Sequence, residues 1–397
     1  MRRAWILLST VLAIGALAGC GASFKLPTES RGNRIVPGDK SYQMLQTWKG
    51  MHGVVDLLLL PQGTSEQLYL VFNTGGAGTA PRGAVHPYSL TSPTPITTVN
   101  FQNLFNPVAV CGGGDGAGAA LNRLYVLDQG DTSIARANPA TGQPDTVGGW
   151  DLRISDLAHY WRVREYHLAG GDTVTSFTDT TLAFVSGVAA DAAGSVYVSG
   201  LAIVILPNPN DIRLRERVFQ FRVFKYSRGP RYAGVTPNDR NMPGAAWHRD
   251  TTFVSEVGNG TGFVVDPRGM FWNSAIGDGL YVADLGNNRA QRLYDVGIDN
   301  GYFAVDGTDS GENILEPLDV TADAPGYSYI CDTGGRRVLR YDPYGSYVQR
   351  VDVEPSEFGQ LLHGPVAVAA DDSLVYVADR YPAYPDSDVV IRYKRRP

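Results

Sequence analysis

The sequence predicts an all-β fold: a six-bladed β-propeller of four-stranded antiparallel blades, with an N-terminal strand closing the last blade. Three observations carry that expectation. A unit of strand, turn, strand, Gly-rich turn and strand, seen in GLYVADLGNNRAQRLYD from Gly279, recurs six times at spacings of about 48 to 79 residues. The strands of each copy, such as LYVA and VYV, are apolar on both faces, so both faces of each sheet must be covered, as radially packed sheets allow. The ends also fit a closed ring. The last copy stops at Tyr393–Pro397 without a fourth strand, while SYQMLQTW from Ser41 resembles SYVQRVD from Ser346, the fourth strand of copy five. Composition agrees: 46 glycines, 21 tyrosines and 14 phenylalanines in 397 residues, with 19% charged, fit short strands and tight turns.

In chain order, the first element is not part of the fold. Arg2 and Arg3 precede an apolar run from Ala4 to Ala18, too short for an ordinary spanning helix, which ends in Leu17-Ala18-Gly19-Cys20. That tetrapeptide resembles the lipobox of bacterial lipoproteins, which implies cleavage before Cys20 and lipid attachment, palmitate included, at that residue. Residues 1–19 are then a signal peptide, and residues 20–40, polar with Pro and Gly, a lipidated flexible tether to a propeller at 41–397. Gly21 rather than Asp after the cysteine points to the outer membrane of the cell envelope. Several acyl chains make a stable anchor, since each buried methylene contributes about 0.8 kcal/mol.

The six innermost strands are expected at HGVVDL (His52), NPVAV (Asn106), SGVAAD (Ser186), TGFVVD (Thr261), EPLDVTAD (Glu316) and GPVAVAAD (Gly364). The second strands follow at QLYLVFN (Gln67), RLYVLD (Arg123), SVYVSGLAI (Ser195), GLYVAD (Gly279), YSYICD (Tyr327) and LVYVAD (Leu374). Third strands are read at GAVHPYSL (Gly83, a poor copy), IARAN (Ile134), FQFRVFKY (Phe219), RAQRLYD (Arg289), RVLRYD (Arg337) and VVIRYK (Val389). Blade three is unusual. Its second and third strands run long and are joined by PNPNDIRLRE from Pro207, which predicts a hairpin projecting from the turn face with Arg213, Arg215 and Arg217 near its tip. Residues 143–184 and 230–258 read as long loops; ISDLAHYW within the first fits either a short helix or a strand.

The repeats resemble the NHL family, whose signature is a G-V-A-V-D strand, a V-Y-V-A-D strand, a D-T-G-N-N-R turn and a strand ending in an aromatic and Asp. Gly262-Phe263-Val264-Val265-Asp266, Tyr281-Val282-Ala283-Asp284 and Gly286-Asn287-Asn288-Arg289 carry it best. The resemblance implies a propeller over residues 41–397 and, commonly in that family, a docking platform. It also implies a rival, since six-bladed relatives include metal-dependent lactonases of the SMP-30/gluconolactonase group and lyases acting on peptides or streptogramins.

Residues shared by most blades cannot form one unique site. Asp128, Asp284, Asp332 and Asp379 each end a second strand, where a carboxylate can close the turn by accepting backbone N–H bonds; Gly130, Gly286 and Gly334 are expected to supply positive φ. Arg136, Arg292, Arg340 and Arg392 recur in the third strands as candidate inter-blade ion-pair partners. The non-repeating polar residues at the channel are His52, Asp56, Asn106, Ser186, Thr261, Glu316, Asp319 and His363. Of these, His52, Glu316, Asp319 and His363 are the candidates for a divalent metal, calcium or zinc, or for acid–base chemistry in the axial channel. No other cofactor is expected. H-E-x-x-H, G-x-S-x-G and phosphate-loop motifs are absent; VDGTDSGEN from Val305 departs from a calcium loop.

A net charge of −6 opposes nucleic acid. Cys111 and Cys331 fall in different repeats and read as buried free thiols. The expected function is therefore an envelope lipoprotein, tethered by lipid, whose channel face and blade-three hairpin bind a protein, peptide or glycan. The alternative is a metal-dependent hydrolase or lyase with its site at the channel mouth.

Overall fold

Among the described residues, strand-forming runs pair with their sequence neighbours, the N-terminal strand excepted, so each blade is a local antiparallel meander. The computed structural model describes residues 42–62, 65–73, 83–99, 101, 104–115, 121–130, 161–179, 181–208, 211–228, 247–250, 252–253, 255–259, 262–274, 279–294, 297, 299–303, 313–351, 362–381 and 388–396. The stretches read as signal peptide and tether, with Cys20, and also Arg136, Thr261 and most of VDGTDSGEN lie outside the described residues.

The first strand, β1 (Tyr42–Lys49), belongs to the last sheet. Blade one contains β2 (Val54–Gln62), β3 (Ser65–Asn73) and β4 (Gly83–Ser89), and a Tyr88–Pro95 bridge extends its outer edge. Blade two contains β5 (Pro107–Gly113), β6 (Arg123–Asp128), β7 (Arg162–His167) and β8 (Thr173–Phe177). Blade three contains β9 (Leu182–Ala190), β10 (Val196–Asn208), β11 (Asp211–Arg228) and β12 (Trp247–Asp250). A short parallel pair, β13 (Glu256–Val257) and β14 (Phe263–Val264), leads to blade four: β15 (Pro267–Asn273), β16 (Gly279–Asp284), β17 (Arg289–Leu293) and β18 (Asp299–Phe303). Blade five contains β19 (Pro317–Ala322), β20 (Ser328–Asp332), β21 (Arg337–Tyr341) and β22 (Tyr347–Arg350). Blade six contains β23 (Pro365–Ala370), β24 (Leu374–Asp379) and β25 (Val389–Arg395), completed by β1.

The innermost strands close a ring: β2 packs on β5, β5 on β9, β9 on β15, β15 on β19, β19 on β23, and β23 on β2. Apolarity on both faces now has its reason, because six buried apolar clusters fill the six gaps between neighbouring blades. The tyrosine of each second strand (Tyr69, Tyr125, Tyr197, Tyr281, Tyr329, Tyr376) is buried in one of these gaps. Most of their hydroxyls bond locally: Tyr329 donates to Asp323 at 3.0 Å, Tyr125 to the Gly114 carbonyl at 3.0 Å and Tyr376 to the Leu90 carbonyl at 2.8 Å. A buried phenol thereby avoids the cost of an unpaired polar group.

Closure follows the expected route. β1 lies antiparallel to β25, with Tyr42 opposite Arg395 and Trp48 opposite Val390. Trp48 is 1% exposed and its ring lies 5.8 Å from Tyr88 of blade one and 6.0 Å from Tyr376 of blade six. At the other end of the strand, the Tyr42 hydroxyl meets that of Tyr329 in blade five at 3.4 Å. One strand thus joins three blades.

Three sequence expectations are corrected. Blade four's innermost strand is Pro267–Asn273, not TGFVVD, whose Phe263–Val264 sits in the parallel pair. The pattern misleads because Asp266, not a strand end, takes φ 52° just ahead of Pro267, as Glu316 takes φ 55° ahead of Pro317. Blade two's third strand is Arg162–His167 rather than IARAN, and the stretch read as a loop from 143 to 184 also supplies β8 and the start of β9. The weak GAVHPYSL copy, by contrast, is a full third strand paired with β3 at seven positions.

Candidate functional site

The turn face is held by the repeated aspartates, all buried. Asp128 accepts N–H bonds from Phe105 (3.1 Å), Asn106 (2.8 Å) and Gly130 (3.0 Å). Asp284 accepts from Val265 (2.7 Å), Asp332 from Leu315 (2.7 Å), and Asp379 from His363 (2.9 Å) and Gly364 (2.8 Å). Each carboxylate therefore ties the end of its second strand to the loop that leads into its own innermost strand. The sequence shows the local turn bond but not this longer reach. Nor does it show that Arg289 and Arg337, five positions after Asp284 and Asp332, supply the counter-charges at 2.8 and 2.6 Å. In blades four and five the third-strand arginines meet groups of their own blade: Arg340 stacks 3.8 Å over Tyr327 and lies 3.8 Å from Asp323, and Arg292 lies 5.7 Å over Tyr281. Positive φ occurs at Gly130 as expected. In blades four and five it falls on Asn288 and Arg336 rather than Gly286 and Gly334. Gly286 is needed for closeness, since a Cβ there would collide with Val265.

The four metal candidates are not gathered. His363 stacks on Tyr381 at 3.9 Å, with Nδ1 3.5 Å from the Asp379 carboxylate. Glu316 is exposed and its N–H donates to Asn288 Oδ1 at 3.0 Å. His52 is exposed in the turn before β2. Only Asp319 reaches the channel cavity. Among the described residues, no group of three or more His, Cys, Asp or Glu side chains is placed to hold a metal ion. Ser186 and Asn106 are spent on structure: Ser186 Oγ donates to the Pro267 carbonyl at 2.5 Å, and Asn106 bonds Gln129 at 3.2 Å.

The axial channel holds a cavity of about 350 Å³, built from five innermost strands and touched by Val368 of the sixth. Its walls are largely apolar, with Leu58, Leu60, Met270 and Trp272, and its mouth is rimmed by exposed Ala192, Ser274 and Ala324. These residues follow the ends of the innermost strands, so the mouth faces away from the aspartate turns. That is the end opposite to the one at which the sequence placed a site.

Three aspartates line the cavity: Asp56 from blade one and Asp319 from blade five, both on innermost strands, and Asp323 just past the end of β19, which accepts the Tyr329 hydroxyl. Asp56 and Asp319 each sit just after a bulge in their strand, opposite Val71 and Cys331 respectively. The corresponding residues of blades two and six are Ala109 and Ala367. Asp56 accepts its own strand's Leu57 N–H at 2.8 Å and Val110 N–H of blade two at 2.7 Å. Asp319 does the same with Val320 and with Val368 of blade six, both at 2.8 Å. β15 passes so close that a Cβ on Gly269 would collide with Asp319. Burial pushes the Asp319 carboxyl up to about 7. Asp56 is also held well above the usual carboxylate range, first by burial and then by the charge of Asp319. No Lys, Arg or His lines the cavity. Cys111 and Cys331 are free buried thiols beside these acids, pushed up by burial.

The hairpin of blade three is present. β10 and β11 pair from Val196–Tyr226 out to Pro207–Arg215, and on to Asn208–Asp211 after a bulge. β9 supports β10 only as far as Ala202, and β12 supports β11 only from Lys225. The outer part is therefore a two-stranded ribbon, leaving the ring where second strands end. Arg213, Arg215 and Arg217 occupy alternate positions of β11 near its tip. At its base Phe184 and Phe219 are 41% and 44% exposed.

No protein-family profile matches the chain, and no curated protein matches it. Solved structures do resemble it. A Bacteroides thetaiotaomicron protein of unknown function is 12% identical over 87% of this chain and 70% of that one, with a TM-score of 0.49. A luciferin-regenerating enzyme is 10% identical over 88% and 96%, with a TM-score of 0.47. The PQQ-bound aldose sugar dehydrogenase of Streptomyces coelicolor is 13% identical over 90% and 98%, with a TM-score of 0.43. At such identities the likeness says nothing of function. The chain is a six-bladed β-propeller.

Proposed function

We propose that this protein is a lipid-anchored bacterial envelope propeller of NHL type that works as a binding module, engaging a protein partner through the β10–β11 hairpin. The observation that carries this reading is the ribbon itself. A two-stranded extension rich in Ile, Val, Leu and Phe runs beyond the four-stranded part of blade three, in a ring closed by β1. Apolar and arginine positions on a rigidly held loop are a usual composition for a recognition patch. The lipobox-like Leu17–Cys20 supports the anchor, and the polar stretch 21–40 would let the ring stand off the bilayer.

The test is site-specific photo-crosslinking in the native host. A photoreactive residue at position 203 should give one discrete adduct. The same residue at Tyr344, which is 91% exposed on blade five, should not. An identical adduct pattern from both positions contradicts the reading.

The enzymatic alternative draws support from one feature, the paired carboxylates Asp56 and Asp319, one of them pushed up to about 7. The metal-dependent form of it lacks a ligand set, since His52, Glu316 and His363 do not line the cavity.

A further inference from the structure

We propose that the axial cavity is a binding site for a small organic cation, an ammonium group on an apolar body, held by Asp56, Asp319 and Thr321. The site is separate from the hairpin and opens on the opposite end of the ring.

Three observations converge. First, the cavity has the size and walls of a ligand pocket: about 350 Å³, near the lower end of the usual range, lined mainly by Leu, Val, Ala, Met and Trp. A bare metal ion would leave most of it empty. Second, beside Asp323, which Tyr329 and Arg340 engage, two further carboxylates share it with no cationic side chain in the lining. Each oxygen of these two already accepts one backbone N–H, which leaves each further acceptor capacity. Buried acids without counter-charge are costly, and a cation between them would remove that cost. Third, Thr321 stands two residues after Asp319 on β19, lines the same cavity and is 7% exposed. Its hydroxyl adds a neutral acceptor to the wall that carries Asp319, a place for a ligand's N–H.

Selectivity follows from the same groups. An ammonium head has three donors for three acceptors, while Leu58, Leu60, Met270 and Trp272 line the walls available to its apolar body. An anion meets two carboxylates and no donor side chain of positive charge. A neutral alcohol gains the apolar contact but leaves the acids uncompensated.

The titratable groups facing the pair are each other, the thiols of Cys111 and Cys331, and Asp379 towards Cys331; Asp323, just past the end of β19 and also in the lining, is engaged by Tyr329 and Arg340. Because burial keeps a proton on the pair near neutrality, cation binding should expel it.

Isothermal titration of the chain from residue 21 with phenethylammonium chloride, phenethyl alcohol and calcium chloride tests this at pH 7. The expected result is binding of the ammonium at least tenfold tighter than the alcohol, with an enthalpy that varies with the ionisation heat of the buffer. Asp319→Ala should weaken it at least tenfold, and Thr321→Val severalfold. Alanine already stands at the equivalent positions 109 and 367, so the fold accepts it. Equal binding of ammonium and alcohol, no binding of the ammonium, a response to calcium alone, or unchanged affinity in Asp319→Ala overturns the proposal. None of these outcomes bears on the hairpin, whose crosslinks are read separately.

Discussion

Asp319 of blade five accepts a 2.8 Å hydrogen bond from the backbone N–H of Val368 in blade six, so a carboxylate in the channel joins two innermost strands. Asp56 makes the matching bond from blade one to Val110 of blade two. The two acids thus flank blade six, the one sheet assembled from both ends of the propeller. They are joints of the ring and, at the same time, line one cavity in whose lining no Lys, Arg or His stands.

The pH dependence of stability follows from that placement. The Asp319 carboxyl sits near 7 in the fold and near 3.8 when unfolded, so the native state keeps a proton that the unfolded chain has released. Its contribution is full below about pH 4 and is lost as pH rises through about 7. The midpoint of thermal unfolding should fall between about pH 4 and 7, and Asp319→Ala should flatten that fall. Parallel slopes in wild type and variant would show that the pair does not titrate in this window.

The buried turn aspartates should be far less replaceable. Asp284→Ala would take the carboxylate from the Arg289 guanidinium, 6% exposed, which also donates to the carbonyls of Phe263 (2.7 Å) and Asn259 (2.9 Å), and would orphan the Val265 N–H. Breaking one partner of a buried pair costs about 3–5 kcal/mol. Urea unfolding monitored by tryptophan fluorescence should show a loss of that size; a change below about 1 kcal/mol would deny the aspartate its tying role.

Trp48 should be the measure of ring closure. It fills the gap between blades six and one, and Trp48→Ala should cost about 3–5 kcal/mol. Amide exchange in β25, which pairs with β1, should accelerate more than exchange in β20 of blade five. Uniform acceleration across all blades would mean that closure has no local weak point.

The anchor is tested at one residue. Wild-type protein should partition with the membrane fraction and carry acyl chains on Cys20 by mass spectrometry. Cys20→Ala should leave the precursor unprocessed and unacylated.

Much of the fold was legible because it is repetitive. Six copies of an L-Y-V-like strand place six tyrosines in six inter-blade gaps, and the orphan strand before His52 had one sheet left to complete. Errors arose where the repeat signal came from a segment with a different job. TGFVVD carries the letters of an innermost strand, but its Val265 serves as the donor to Asp284 and the strand starts at Pro267. Arg162–His167 was hidden because its polar alternation, RVREYH, reflects buried ion pairs such as Arg164 with Asp128 and Arg123 with Glu165. The candidate site was less legible. Asp319 was recognised, yet Asp56 was weighed only as one polar residue among eight, and Thr321 was not considered. The signal lay in aligning the bulged position across blades, where alanine in two blades contrasts with aspartate in two others.

The most direct test of the binding-module account is the crosslinking experiment repeated on a ring with its hairpin shortened. Residues 204–218 are replaced by a two-residue turn, leaving the base of β10 and β11 in register with β9 and β12. The account predicts an unchanged unfolding midpoint, unchanged acylation and membrane fractionation, and loss of the discrete adduct formed at position 203. Retention of that adduct by the shortened protein would contradict it and place recognition elsewhere on the ring.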